Sequence, residues 1–556
     1  MRLFLAALAL VLTCAAAPRL SAQGGPPPPP AFAPLPAAAP VPAGNPQSTA
    51  KIALGQALFW DEQLSKTGTV ACGSCHMPRA GGTDQRTRTP NPASVHPGPD
   101  QVFGTPDDIV GSMGVPAHAA NGIYQFDPLF GMAPQVGSRQ SQTAVNAGFP
   151  TTLFWDGRAA GVFLDPDTQQ TLIPAGGALE NQALGPVVNA VEMAHAGGTL
   201  ADMTQRIAAI SPLKLSPAVP QALGDWIAGR SYPQLFEEVF GTPEVSSARL
   251  ALAIAAYERT LVSNQTPHDL QLAGNQAAMT ADELAGRQAF VQAGCARCHG
   301  GPLLSDNNFH YIGVRPGNAD PGRFAVTGNN GDRGRMRTPP LRNIELSAPY
   351  FADGRFQTLE EVVAFYNRGG DFSAPNKDPR IVPLGLTPQQ QAAIVTFLRR
   401  PLTDPRVQNE TGPFARPQLY TESTAVPQAS SQGIPGSGGA IPRLTAYEPP
   451  LVGDSGFTLG VDGGLPAAPA RALLALSDPA SATASALRSI DFSLSALGAG
   501  SIDLALPTRT EVGDALLYLR VFVQDPAAPG GWSASGSVAF RLIGPDDELW
   551  ASGFED

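Results

Sequence analysis

Apolar positions along the chain follow three regimes. Leu3 to Leu12 is one unbroken apolar run behind Arg2, with small residues following up to Ala22. A run of this kind, too short to span a bilayer, predicts a signal peptide over 1–22. From about 49 to 410 the apolar residues take helical spacing, as with Leu250, Ile254, Tyr257 and Leu261. Thr358 and Glu361 predict a capping box for a helix that stops before Gly369–Gly370. Leu359, Val362, Val363 and Tyr366 form its apolar stripe. Loops are expected around 80–140 and 300–345. Past 446 the pattern shifts to short β-type runs, Phe457–Val461, Ile490–Leu494, Ala515–Val523 and Ser537–Leu542, separated by Gly, Pro, Asp and Ser. These predict an antiparallel β-sandwich.

The expected organisation is therefore a mainly α protein with an all-β C-terminal domain. A Pro/Ala-rich linker at 23–48 leads to a first unit at 49–278 and a second at 279–410. A second linker at 411–445 precedes the sandwich at 446–543, and a tail occupies 544–556. The terminal Leu549–Asp556 segment reads as an attachment or sorting tag. Charged residues make up 15% of the chain and its net charge is −11, which argues against nucleic acid as a partner. No later apolar stretch is long enough to span a membrane. The destination is periplasmic or secreted. Lipid anchoring through Cys14 is the less favoured alternative, because Thr13 suits a lipidated cysteine poorly.

The cysteines change the picture most. Cys14 leaves with the signal peptide, and the other four form Cys72-Gly-Ser-Cys75-His76 and Cys295-Ala-Arg-Cys298-His299. Cys-x-x-Cys-His is the attachment signature of haem c. Two thiols add across the vinyl groups, and the next imidazole reaches the iron from the same loop. A zinc site is the alternative, but both copies end in His and no further cysteine pair completes a ligand set. His76 and His299 are the proximal ligands. An open sixth position on an iron permits peroxide or oxygen chemistry, whereas a filled one makes an electron carrier.

From about 49 to 400 the chain resembles the bacterial di-haem cytochrome c peroxidase and MauG family. The resemblance rests on Leu54–Phe59, Phe154-Trp-Asp-Gly-Arg158, Gln182–Pro186 with Glu192-Met193, Phe309–Gly313, Thr338–Asn343 and Pro349–Gly354, in that order around the two haem motifs. It implies that the first haem is the peroxidatic one. Glu192 then serves as distal acid/base, Gln182 as distal amide and Pro186 as the residue crowding the distal face. Trp155 carries electrons or holes between the haems. For Glu192 the bland alternative is a charge on a helix surface; for Trp155, a packed core residue.

Tyr366 stands where peroxidases with a high-potential second haem place Met, which resembles the MauG-type branch; Met336 is the rival ligand. The resemblance also implies an interhaem calcium site at Gln140, Ser347 and Pro349, although the family has Asn at the first of these positions. Ala352 replaces the usual His of Pro-Tyr-Phe-His-Asp-Gly, and Gly161 to Gly177 lengthens the approach to the pocket. His96 or His118 is a candidate cap on the first iron, with a solvated loop histidine as the simpler reading. His310 is expected near the second haem in a structural role. His195 and His268 are expected at the surface or at helix ends.

The implied reaction is reduction of hydrogen peroxide with electrons from a small cytochrome c or a cupredoxin. The alternatives are MauG-type oxidation of a specific protein or organic substrate, oxygen-dependent dioxygenation, and a non-enzymatic electron carrier.

Overall fold

The structure, a computed structural model, describes residues 31–88 and 91–544. The expected signal peptide and the terminal Leu549–Asp556 segment lie outside the described residues. Helix accounts for only 29% of the structure, so the mainly α expectation does not hold. The physical reason is the glycine and proline content: between the helices the chain runs as turns and two- to four-residue strands such as Met113–Pro116 and Phe309–His310.

The first haem unit is organised by two helices, Thr49–Trp60 and Ser247–Glu258, which pack closely side by side. Ser48 caps the first helix by accepting from the Lys51 N–H. Gly55 sets the approach: a Cβ there would lie 1.9 Å from the Ala253 carbonyl oxygen. Trp60 Nε1 donates to the Tyr257 hydroxyl at 2.9 Å, locking the two helices at one end. The helical turn Cys72–Cys75 rests on the same tryptophan, since a Cβ at Gly73 would come within 2.2 Å of the Trp60 ring.

The second unit repeats the device. Helices Ala281–Gln292 and Pro388–Leu398 meet where a Cβ on Gly286 would lie 2.2 Å from the Ala393 carbonyl oxygen. The Thr358/Glu361 capping box forms as expected, ahead of helix Leu359–Asn367. A buried bidentate pair joins the two units: Arg342 Nη2 meets Asp269 Oδ1 at 2.7 Å, and Nη1 meets the other carboxylate oxygen.

The segments expected as linkers are packed. Leu35 and Ala39 are buried in a cluster with Val262 and Leu303, and Phe32 sits against His268 and Phe397. In 411–445, Phe414 and Tyr420 are fully buried, and Thr421 Oγ1 donates to Glu62 at 2.6 Å.

The C-terminal region forms two antiparallel sheets whose apolar faces share one core. One sheet has the order Arg443–Thr445, Phe457–Asp462, Gly500–Leu504. The other has the order Arg488–Ser493, Pro469–Ala475, Leu517–Gln524, Val538–Phe540, Gln428–Ala429. Gln428–Ala429 and Arg443–Thr445 precede residue 446, so the sheets recruit part of the expected linker. No helix among the described residues is long and apolar enough to cross a membrane.

Gly55→Ala should cost ~2 kcal/mol, because its methyl group cannot fit without parting the helices. Denaturant unfolding followed by circular dichroism should show an earlier midpoint. An unchanged midpoint would mean that the helices separate freely.

Candidate active site

Both Cys-x-x-Cys-His motifs open onto one continuous cavity of about 1000 Å³. Cys72, Cys75 and His76 line one side; Cys295, Cys298 and His299 line the other. Trp155, Gln140, Gln182, Pro186, Glu192, Met336 and Tyr366 also border it. Ser347 and Pro349 do not border it. The Gln140 backbone donates to the Ala352 carbonyl and accepts from Trp155 Nε1, while its side-chain Nε2 is buried without a hydrogen-bond partner. The Ser347 hydroxyl donates to the Ile344 carbonyl.

The donor set fits two haem c groups. The four thiols are free, and burial pushes them up, Cys75 and Cys295 to about 12 and Cys298 to about 11. His76 Nδ1 lies 3.2 Å from the Gly82 carbonyl oxygen, and His299 Nδ1 lies 3.1 Å from that of Leu304. A Nδ1–H donated to a carbonyl leaves the Nε2 lone pair for a metal and fixes the ring, the usual support for a ligating histidine. Two motifs distant in sequence share this arrangement.

On the first side, Gln182 lies near the C-terminal end of helix Ala178–Ala183, and Pro186 opens the turn Pro186–Val188. Glu192 follows in a turn rather than on a helix. Asn189 Nδ2 donates to its Oε1 at 3.0 Å. Burial raises the Glu192 carboxyl above its ordinary range, opposed by Arg158. Glu192 and Pro186 also line an adjoining cavity of about 460 Å³, bounded by Phe154, Arg158, Val162 and Asn181. Val162 comes from the lengthened Gly161–Gly177 segment, which therefore does shape the approach to Glu192.

Trp155 borders the same cavity. Its Nε1–H donates to the Gln140 carbonyl at 2.8 Å, and its own carbonyl accepts from the Arg337 N–H at 2.8 Å. On the second side, Tyr366 packs against Phe365 and Phe351, with ring centroids 5.2 and 6.1 Å away. Burial raises its phenol, with smaller contributions from Cys298 and Cys295, and it borders the cavity that the second motif lines. Met336 reaches the same cavity from strand Met336–Arg337.

The histidines sort differently from expectation. His96 borders the cavity, but His118 does not. His118 is 2% exposed and packed edge-on against Tyr124, so it is not a solvated loop residue. His268 is a helix-end residue but not a surface one: it is 1% exposed, between Phe32 and Phe397. His310 bridges two carboxylates, with Nδ1 2.8 Å from Asp378 and Nε2 3.0 Å from Asp306. Together with Cys298 it has metal-site spacing, but both ring nitrogens face carboxylates and the thiol belongs to the haem motif.

Glu258 is a cavity residue that the sequence reading missed. It is buried, its Oε2 has no hydrogen-bond partner, and burial pushes its carboxyl up to about 8 against the opposing Arg259. Arg259 itself is committed to Glu180, with Nη1–Oε1 at 2.8 Å and Nη2–Oε2 at 2.9 Å. The available signal was spacing: Glu258 falls on the Leu250–Ile254 stripe, where a charge is out of place.

These features define a di-haem c-type oxidoreductase. The family model for di-haem cytochrome c peroxidase matches residues 49–277, and that for cytochrome c matches 284–400. Cytochrome-c peroxidase IdrP1 of Denitromonas iodatirespirans is 30% identical over 73% of this chain and 94% of its own length. Methylamine utilization protein MauG of Methylorubrum extorquens is 29% identical over 65% of this chain and 80% of its own. A solved MauG-like protein associated with microbial copper homeostasis is 27% identical with a TM-score of 0.48, over 72% of this chain and 99% of its own. The chain belongs to the di-haem cytochrome c peroxidase family.

The raised Glu258 carboxyl predicts a pH effect on stability. Its proton is held more tightly in the folded state, so its contribution is complete below about 4.5 and is lost as pH rises toward about 8. Glu258→Gln should flatten the decline of the unfolding midpoint across that window. A decline equal to that of the wild type would remove Glu258 as its source.

Proposed function

We propose that this chain is exported and reduces hydrogen peroxide at the first haem, using electrons that enter through the second. Hydrogen peroxide takes two electrons and two protons to give two waters. The first haem, when bound, supplies the iron at which the O–O bond is cleaved. Glu192 holds the proton that must reach the leaving oxygen, and burial raises its carboxyl above the ordinary range. The observation that carries this reading is that Glu192 borders both the haem cavity and the smaller adjoining one. Gln182 orients the peroxide without competing for protons, and Pro186 narrows the distal face. Trp155, with its N–H committed to the Gln140 carbonyl, offers an oriented indole in the cavity that both motifs line. The donor is a small cytochrome c or a cupredoxin.

A second reading, oxidation of a specific protein or organic substrate, is favoured by Tyr366. A phenolate is a hard anionic ligand that stabilises higher iron oxidation states and lowers the potential relative to a thioether. Its place in the cavity that the second motif lines supports ligation of the second iron.

Glu192→Gln should lower kcat/KM for hydrogen peroxide by roughly 10²-fold or more with haem content unchanged; unaltered turnover would remove Glu192 from the reaction. Tyr366→Phe should change the ferric absorption and EPR signals of the second haem alone. Identical spectra would exclude Tyr366 as its ligand.

A further inference from the structure

The C-terminal sheets contain neither cysteine nor histidine, yet they engage the first haem unit at a defined surface. Asp462 ends strand Phe457–Asp462 and is 2% exposed. Its Oδ2 accepts the Met132 N–H at 2.8 Å. Arg443 on the paired strand holds the same carboxylate, with Nε–Oδ1 at 2.7 Å and Nη2–Oδ2 at 3.0 Å. Gly131 has a φ of +63°, and a Cβ there would lie 2.3 Å from Asp462 Oδ2, so the carboxylate requires glycine opposite it. Beside this contact Tyr124 and Met132, each 2% exposed, pack with Ala499. Gly460 makes room for them: a Cβ there would come within 3.1 Å of Tyr124.

The segment seized in this way also grips Glu192. Strand Pro134–Val136 begins two residues after Met132 and pairs with Met113–Pro116. Gln135 Nε2 donates to the Ala190 carbonyl at 2.9 Å, and the Val115 N–H donates to the Val191 carbonyl at 3.2 Å. A Cβ on Gly114 would lie 2.8 Å from Glu192 Cα, so strap and turn are in close contact. Glu192 itself sits in a turn, with no helix or strand of its own. A two-stranded ribbon this short is marginal alone and needs packing from outside. Val115 packs into the core of the first unit, and the C-terminal sheets hold the stretch that joins the two strands at Tyr124 and Met132.

We propose that the C-terminal β-region is a brace for the distal acid, with Asp462 as a positioning residue acting on Glu192 through the 113–136 strap. The catalytic half of this inference rests on the role of Glu192 given above; the mechanical half does not.

The test uses full-length holoprotein carrying Asp462→Ala, with Asp491→Ala as a control in the exposed Arg471 pair of the same region. Two readouts are needed: hydrogen–deuterium exchange over 113–136 and 187–193, and kcat and KM for hydrogen peroxide. Asp462→Ala should speed exchange in both segments and lower kcat about tenfold, with KM and haem content held, because small misplacements of a reacting group are costly. The control should match wild type in both. Wild-type exchange in the two segments would overturn the brace, and faster exchange with wild-type kcat would overturn the positioning role. If Asp462→Ala does not fold, Arg443→Ala keeps the Met132 hydrogen bond while loosening the carboxylate. It should move both readouts the same way by a smaller factor, and no movement in either would overturn the proposal. The exchange result is independent of turnover by Glu192→Gln, so failure of the brace and failure of the proposed reaction are told apart.

Discussion

The structure depends on one arrangement used twice: an imidazole whose Nδ1 is spent on a backbone carbonyl, beside two cysteines of the same motif, facing a shared cavity. His76 is fixed by Gly82 and His299 by Leu304. A cavity of about 1000 Å³ inside a folded chain is costly unless something fills it. Two covalent haems satisfy that requirement, and the paired helices of each unit form the walls they need. The close glycine crossings at Gly55 and Gly286 hold the two helices of each unit side by side.

Electrostatics then divides the cavity into roles. Several buried charges are paired, as with Arg259 and Glu180 or Arg342 and Asp269. Glu192 has only a neutral amide donor, from Asn189, and Glu258 has an oxygen with no partner at all. Carboxyls without an ion-pair partner are unfavourable for stability, and perturbed groups of this kind concentrate at functional sites. Around the second motif the balance differs: aromatic rings surround Tyr366, and carboxylates enclose His310. Trp155 borders the cavity that both motifs line.

Local signals in the sequence were readable because their chemistry is local. Cys-x-x-Cys-His is a single loop, the Thr358/Glu361 box spans one helical turn, and the stripe carrying Tyr366 repeats within one helix. What depended on distant partners was not readable. The Pro/Ala-rich segment looks like a free linker until Phe32 meets His268 and Phe397. The 411–445 segment looks the same until Tyr420 and Thr421 meet Glu62. His118 and His268 are polar by composition but buried by packing against rings that no spacing rule connects to them. Helix was overestimated because apolar periodicity around 250 and 360 says nothing about the glycine- and proline-rich chain between those positions. The hold of the β-region on the 113–136 strap links residues more than 300 positions apart, such as Met132 and Asp462, and leaves no local trace.

The most direct test of the account is the intact mass of the mature protein, measured alongside its visible absorption. The account predicts a mass above that of the polypeptide by two covalently bound haems, with a Soret band that survives denaturation. A colourless chain with the mass of its amino acids alone would contradict it.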